Sequence, residues 1–299
     1  MMRTVNALGF IGLGVMGGRM CRNLIRKSQQ PVYYFDLSPE RRAYVAEVGG
    51  VEASSAADVL ANSDMVFFCL PGEPQVRALW FGDEPLVDSV ETGQVIVDTT
   101  TATVEINREV AAAVQARGGF FADAPIARGV PSAEDGTLAI TVGATEELFA
   151  FIKPWLETMG TEISHCGDVG TGQVLKLMNN MLLFQTVNAL SEAMAIATRA
   201  GVDRDKLFPI LQRGSADSFA MRRHGSCMTS GEYPDDWFST VYSQKDLSYA
   251  IALAESVGVD AKGAKLIGER FEEAVERGWG KYYSPVVYRL FEEDASNGS

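Results

Sequence analysis

From residue 5 to about residue 165, short apolar runs rich in Val, Ile and Phe alternate with longer segments whose apolar positions recur at helical spacing. Strands covered on both faces read as nearly continuous apolar runs, and successive parallel strands need a crossover helix between them. The runs predict strands over residues 7–11, 32–35, 65–70, 95–97, 120–122, 138–142 and 162–164. Helices are expected over 16–27, 41–48, 56–61 and 104–116. This alternation predicts an α/β Rossmann domain, a doubly wound and mostly parallel sheet.

The pattern changes after Gly167. Gly170 and Gly172 lead into a helical stretch that runs to about Ala200 without an internal Gly or Pro. Further helical periods cover 205–212, 241–256, 261–278 and 285–293, and no strand is expected among them. The chain therefore reads as a dinucleotide-binding domain, 1–167, followed by an all-helical substrate and oligomerisation domain, 168–299, entered through a long interdomain helix. A length of 299 residues suits two domains better than one. His165 precedes the junction, His224 is expected in a loop beside Arg222 and Arg223, and the tail 294–299 is expected to be disordered.

Composition narrows the function. The formal charge of -13 opposes the basic footprint that nucleic acid requires. Cys21, Cys69, Cys166 and Cys227 lie far apart with no C-x-x-C pair, so neither a zinc site nor a disulfide framework is suggested, and a reducing cytoplasm fits. The apolar runs fall well short of the roughly 20 residues of a membrane span. Arg3 before an apolar run has the outline of a signal peptide. That run enters Gly12, Gly14 and Gly17 without a small-residue cleavage site, and too few residues precede it to make a mitochondrial leader, so it is read as a buried strand.

Gly12-Leu13-Gly14-Val15-Met16-Gly17 fits G-x-G-x-x-G between a predicted strand and a predicted helix. In that setting Gly12 permits the turn, Gly14 lets backbone approach a pyrophosphate, and Gly17 lets the helix pack close to the strand. A glycine-rich turn without a ligand is the plainer alternative. Asp36 ends the second predicted strand nineteen residues after Gly17, where a carboxylate hydrogen-bonds a ribose 2′-hydroxyl and repels a 2′-phosphate. NAD is favoured over NADP on that ground, with Arg41 and Arg42 read as a solvated helix face that could still reach a phosphate. Leu70-Pro71-Gly72 and Asp98-Thr99-Thr100-Thr101 follow two more strand ends and are expected to line the nicotinamide side, Leu70, Pro71 and Thr100 above all. The threonines could equally serve as caps for the helix at 104–116.

Lys176, Asn179 and Asn180 lie near the start of the long helix, at spacings that place the lysine and the asparagines along one face. Two asparagines in an apolar helix are costly without partners. A solvent-exposed lysine with polar neighbours is the plain reading. Hydride removal from a carbinol also requires that the hydroxyl proton leave, however, and a lysine near the positive end of a helix can take it as general base.

With these residues in place, the chain resembles the β-hydroxyacid dehydrogenase family, which includes 3-hydroxyisobutyrate dehydrogenase and tartronate semialdehyde reductase. The likeness spans nearly the whole chain. It is carried by Phe10-Ile11-Gly12-Leu13-Gly14-Val15-Met16-Gly17, by Asp123-Ala124-Pro125 leading to Gly136-Thr137-Leu138, by Gly170-Thr171-Gly172 with Lys176 to Asn180, and by Lys245-Asp246-Leu247. The resemblance implies an NAD(P)-dependent enzyme acting on a small anionic substrate, with Lys176 as catalytic acid/base and Asn180 orienting substrate and lysine. It also implies that Phe238 and Lys245 approach the cofactor, and that the protein is a homodimer or homotetramer.

Many members read Ser-Gly-Gly after Asp-Ala-Pro; this chain reads Ala127-Arg128-Gly129. The change replaces a hydroxyl with a charged fork suited to a carboxylate, sulfonate or phosphate, so Arg128, with Ala127, Gly129 and Asn179, is expected to hold the substrate's anionic end. A sulfolactaldehyde-type reductase is one alternative, which Leu183 weakens. An ion pair of Arg128 with Glu134 or Asp135 is the plain reading. Trp279-Gly280-Lys281-Tyr282-Tyr283 is also unusual for the family and could shape a distal pocket or a subunit contact. A non-catalytic dinucleotide sensor or an imine reductase would be expected to lack Lys176, and a 6-phosphogluconate dehydrogenase would need a longer helical domain.

Overall fold

The computed structural model describes residues 1–235 and 237–296, so residues 297–299 of the expected disordered tail lie outside it. The chain divides into two compact units, Met1–Lys176 and Leu177–Ser299.

The first unit is built on one nine-stranded sheet: β1 (Leu8–Ile11), β2 (Val32–Phe35), β3 (Val51–Glu52), β4 (Met65–Phe68), β5 (Val95–Asp98), β6 (Phe120–Asp123), β7 (Ile126–Ala127), β8 (Leu138–Gly143) and β9 (Gly160–Gly167). The order β3-β2-β1-β4-β5-β6 is parallel throughout, the strand order of a dinucleotide-binding Rossmann sheet. β8 joins β6 and β7 antiparallel and carries β9 parallel on its other side.

Along the central strands, alternate side chains enter two different cores. Leu8, Phe10, Met65, Phe67, Val95 and Val97 pack on one face, and Ile11, Val66, Phe68 and Ile96 on the other. This is why those strands read as unbroken apolar runs. The helices covering the faces are α1 (Gly17–Lys27), α2 (Pro39–Ala46), α3 (Ala56–Ala61), α4 (Glu73–Phe81), α5 (Val104–Ala116), α6 (Val130–Asp135) and α7 (Glu146–Leu156). The strand expected over 65–70 ends at Phe68, which leaves Cys69 and Leu70 in the loop.

Helix α8 (Thr171–Arg199) starts in the first unit and continues into the second. The second unit adds α9 (Arg204–Leu211), α10 (Phe219–Ser230), α11 (Thr240–Ser256), α12 (Lys262–Glu276) and α13 (Tyr288–Ser296), with no β-strand among its described residues. Its main core joins Phe184, Val187, Met194, Leu247, Ile267 and Phe271. No described helix is long and apolar enough to cross a membrane.

Several expectations need correction. The segment expected as one helix over 285–293 is a 3-10 turn, Ser284–Val287, followed by α13, which extends through residues 294–296 of the expected disordered tail. His224 lies in α10 rather than in a loop. Its side chain is buried, the Nδ1 atom stands 3.2 Å from the Ala220 carbonyl, and Nε2 stands 2.7 Å from the Tyr283 hydroxyl. The carbonyl can only accept, so Nδ1 carries the proton and Tyr283 donates to Nε2. Burial pushes the imidazole down to about 4.

A lowered folded pKa means that the contribution of His224 to stability is complete above the unfolded value of about 6.5 and is lost as pH falls through about 4. His224→Gln should therefore flatten the decline of thermal midpoint between pH 7 and pH 4 relative to wild type. The flattening should correspond to roughly 2–3 kcal/mol. Parallel melting curves of the two proteins across that range would rule it out.

Candidate active site

The turn after β1 has the geometry its glycines predict. Gly12 has φ +90°, and a Cβ there would collide with the Cys69 carbonyl oxygen. A Cβ on Gly17 would collide with the carbonyl oxygen of Gly12, so helix and strand can approach this closely only with glycine. Gly14 is different: it is exposed, and no atom lies within 4 Å of where its Cβ would be. Protein packing does not require that glycine, whereas close approach of a phosphate group does.

The Leu13 side chain is buried in the core, which anchors the loop, while Gly14 and Val15 face outward and Met16 is half-buried. α1 starts without a side-chain cap and without an acidic residue in its first turn, so its N-terminal dipole is not offset locally. The loop and helix start fit a dinucleotide pyrophosphate.

Asp36 follows β2 and closes the loop from the side. Its Oδ2 accepts the Leu13 N–H at 2.6 Å and its Oδ1 accepts the Ser38 N–H at 2.8 Å. Arg42 is not a freely solvated side chain: it donates to the Asp36 carbonyl at 2.6 Å and pairs with Glu52 at 2.7 Å. Beyond β4, the Leu70 N–H donates to Thr100 Oγ1 at 2.9 Å, and Thr99 Oγ1 donates to the Phe68 carbonyl at 2.6 Å. Pro71 follows Leu70 as an exposed residue. The cap of α5 is Thr103, whose hydroxyl accepts the Ile106 N–H, so Thr99 and Thr100 tie β4 to β5 instead of capping that helix.

Asp98 and Asp123 end adjacent strands and are direct register partners, both buried. Asp98 Oδ1 accepts the Thr100 N–H at 2.9 Å, while Oδ2 has no hydrogen-bond partner, and burial pushes this carboxyl up to about 7. Burial raises Asp123 less, to about 6, because the Gly170 and Gln173 N–H groups favour its charged form. Lys176 follows in the second turn of α8, half-buried.

Ala127 ends β7, and Arg128 and Gly129 make the turn into α6. Arg128 has φ +89°, the one non-glycine residue with positive φ among the described residues. That conformation costs roughly 1–3 kcal/mol. Its guanidinium donates to the Thr137 carbonyl at 3.0 Å and to Thr161 Oγ1 at 3.3 Å, and lies 3.8 Å from Glu162. The plainer alternative of an ion pair with Glu134 or Asp135 is not what the turn shows: Arg128 lies nearest Glu162, and Glu134 pairs with Arg19 at 3.0 Å.

The second unit gathers the remaining candidates. The Asn180 amide donates to Asp246 Oδ2 at 2.7 Å, Lys245 Nζ lies 3.1 Å from Asp246 Oδ1, and the Asn179 amide donates to Asn180 Oδ1 at 3.1 Å. Lys245 also stands 5.5 Å from the Tyr242 ring centroid, and Phe238 packs between Tyr242 and Phe184 with centroid separations of 6.2 and 6.4 Å. Asp246 is buried and fixes both Asn180 and Lys245, a role that its place beside Lys245 in the sequence did not disclose. Trp279 and Tyr283 turn into this unit, where Trp279 packs against its core and Tyr283 is buried with Cys227, Tyr233 and Val286.

Comparison with known proteins covers the chain almost end to end. Residues 7–167 match the profile of the NAD-binding domain of 6-phosphogluconate dehydrogenase. Residues 170–288 match that of the NAD-binding region of NADP-dependent 3-hydroxyisobutyrate dehydrogenase. A probable mitochondrial 3-hydroxyisobutyrate dehydrogenase of Dictyostelium discoideum is 32% identical, covering 98% of this chain and 92% of that protein. A 2-hydroxy-3-oxopropionate reductase of Escherichia coli is 31% identical, covering 95% and 96%. Among solved structures, Mycobacterium tuberculosis 3-hydroxyisobutyrate dehydrogenase with L-serine superposes with a TM-score of 0.87 at 28% identity, covering 97% and 99% of the two chains.

Proposed function

Because the chain belongs to the β-hydroxyacid dehydrogenase family, and so is an NAD(P)-binding oxidoreductase acting on hydroxyl groups, we propose that it oxidises a small 3-hydroxy acid or reduces its semialdehyde with Lys176 as general acid/base. The observation that carries this reading is the anchorage of α8. The helix turn before Lys176 is bonded to Asp123 and Thr100, at the carboxyl ends of the same parallel sheet whose β1 end holds the glycine loop. When bound, the nicotinamide supplies or accepts the hydride. In oxidation Lys176 takes the hydroxyl proton, and in reduction it returns a proton to the carbonyl oxygen.

Asn180 orients the substrate, with its amide fixed by Asp246. Leu13, Val15 and Met16 line the pyrophosphate turn, Leu70, Pro71 and Thr100 the nicotinamide side, and Phe238 with Lys245 also contacts the cofactor. NAD is preferred. A carboxylate after the second strand disfavours a 2′-phosphate, which supports this preference, and Arg42 is already engaged by Asp36 and Glu52. Arg128 holds the anionic end of the substrate together with Ala127, Gly129 and Asn179. The strained turn presents its guanidinium, and the side chain remains 42% exposed despite its anchors. A sulfonate in place of the carboxylate is the second reading, favoured by the same replacement of hydroxyl by guanidinium.

Purified protein with NAD or NADP, followed by nicotinamide absorbance against 3-hydroxyisobutyrate, L-serine, glycerate, L-threonate and sulfopropanediol, tests the proposal. Turnover of a hydroxy acid with NAD preferred is expected. Silence across the panel with cofactor binding intact would favour a non-catalytic sensor. Arg128→Ala should raise KM at least about tenfold, the loss of one charge-assisted contact. An unchanged KM removes Arg128 from the site.

The protein is proposed to work in the cytoplasm as a homodimer or homotetramer. α8 leaves Leu182, Ala189 and Ile196 exposed at seven-residue intervals, Leu182 and Ile196 at 62% and 69%, an apolar stripe suited to another helix. Light scattering at the mass of one chain would dismiss the oligomer.

A further inference from the structure

Helices α2, α3, α5 and α7 are capped by a Ser or Thr hydroxyl immediately before the helix, at Ser38, Ser55, Thr103 and Thr145. Such a cap satisfies the helix end from the residue next to it in the chain. The start of α8 is held differently. Thr171 turns its hydroxyl away to the Asp168 carbonyl, and the N–H groups of Gly170 and Gln173 go to the two carboxylate oxygens of Asp123, at 2.6 and 2.8 Å, from the end of β6.

The fit leaves no slack, since a Cβ on either Gly143 or Gly172 would run into that carboxylate. Gln173 extends the tie: its buried side chain donates to the Thr100 carbonyl at 2.5 Å and accepts the Ala102 N–H at 3.3 Å. Lys176 comes three residues after Gln173, less than one helical turn later.

We propose that Asp123 is a positioning residue for Lys176: from the end of β6 it fixes the depth and rotation of the first turn of α8, and it places a negative charge beside the turn that carries the lysine. The proposal rests on the reading of Lys176 as acid/base. Asp123 also offsets the positive end of the α8 dipole, so it holds the lysine pKa above the value a bare helix terminus would give. Among the described residues, Asp98 across the sheet on β5, Arg108 on α5 and Cys166 on β9 also face Asp123. Asp123 is ionised in the alkaline range used for alcohol oxidation, because burial takes it only to about 6.

Asp123→Asn keeps the shape, removes the charge and turns an amide N–H2 toward one of the two N–H donors. Gln173→Leu keeps the carboxylate and its backbone bonds but cuts the tie to Thr100 and Ala102. Two measurements are made on each whole protein. The first is the pKa of Lys176, from the 13C signal of its reductively methylated amine, assigned by its loss in Lys176→Arg; this needs no substrate. The second is kcat and KM with NAD and 3-hydroxyisobutyrate, together with the Kd of NAD alone.

Asp123→Asn should lower the lysine pKa by on the order of one unit and kcat by more than about tenfold, with KM and Kd within about twofold. Gln173→Leu should lower kcat while leaving the lysine pKa in place. A wild-type lysine pKa in folded Asp123→Asn overturns the proposal. If that variant does not fold, an unchanged kcat in Gln173→Leu overturns it. A Lys176→Ala protein that remains active overturns the underlying reading instead.

Discussion

Lys176→Ala is expected to lower kcat by about 100- to 10,000-fold, the usual size of a lost general acid/base, while the Kd of NAD stays within about twofold. The asymmetry follows from the first unit's architecture. The groups that fit the dinucleotide come from the β1 turn, Asp36 and the ends of β4 and β5, where Asp36 accepts the Leu13 and Ser38 N–H groups and Thr100 accepts the Leu70 N–H. Neither histidine can substitute for it. His165 is hydrogen-bonded to the Ala144 carbonyl at 2.7 Å and stacks on Phe149, and His224 is buried against Tyr283.

Lys176→Arg separates charge from proton transfer. Arginine keeps the positive charge but does not deprotonate in proteins, so this variant should be as inactive as the alanine one. Single-turnover traces in both directions decide the matter. A near-wild-type rate in Lys176→Arg would mean that the lysine only binds an anion.

The parallel sheet was legible because burial on both faces leaves a signature that needs no partner to interpret: β2 and α5 were expected at their observed bounds, and β1, β4, β5 and β6 within two residues. What escaped were elements with conflicting local signals. α7 has an apolar face of Leu148, Ile152 and Leu156 but carries Pro154, which argues locally against a helix, and α10 carries Gly225 with the run Arg222-Arg223-His224, which interrupts its apolar face. Gly225 is there because a Cβ would press on the Phe208 ring, a fact of packing between helices that spacing along one of them does not contain. β3 and β7 are two residues each, too short to show any period.

At the site, the glycine turn and Asp36 could be found because their spacing is fixed by a local βαβ unit. The partners that give Asn180 and Gln173 their geometry could not. Asp246 meets Asn180 across 66 residues, and Asp123 meets Gln173 across 50. Arg128 shows the same limit: its departure from glycine was visible, whereas its positive φ and its bond to Thr137 are properties of the folded turn.

The glycine turn itself yields the other large effect, because its first and last glycines are required by the protein's own packing whereas its middle one is not. Gly17→Ala forces a methyl group into the Gly12 carbonyl oxygen, a backbone atom that cannot rotate aside, so the β1–α1 contact must open. Overpacking of this kind costs about 1–3 kcal/mol or more, and both the thermal midpoint and NAD binding should fall. Gly14→Ala meets no atom within 4 Å and needs no left-handed backbone. Its thermal midpoint should hold or rise slightly, since a compatible Gly→Ala change stabilises by about 0.4–1 kcal/mol through the unfolded chain. The Kd of NAD should nevertheless rise at least about tenfold, because the added methyl stands where the pyrophosphate must approach. Melting curves with and without NAD on both variants separate the two causes. If Gly14→Ala bound NAD as tightly as wild type, the pyrophosphate would have to lie elsewhere than over this turn.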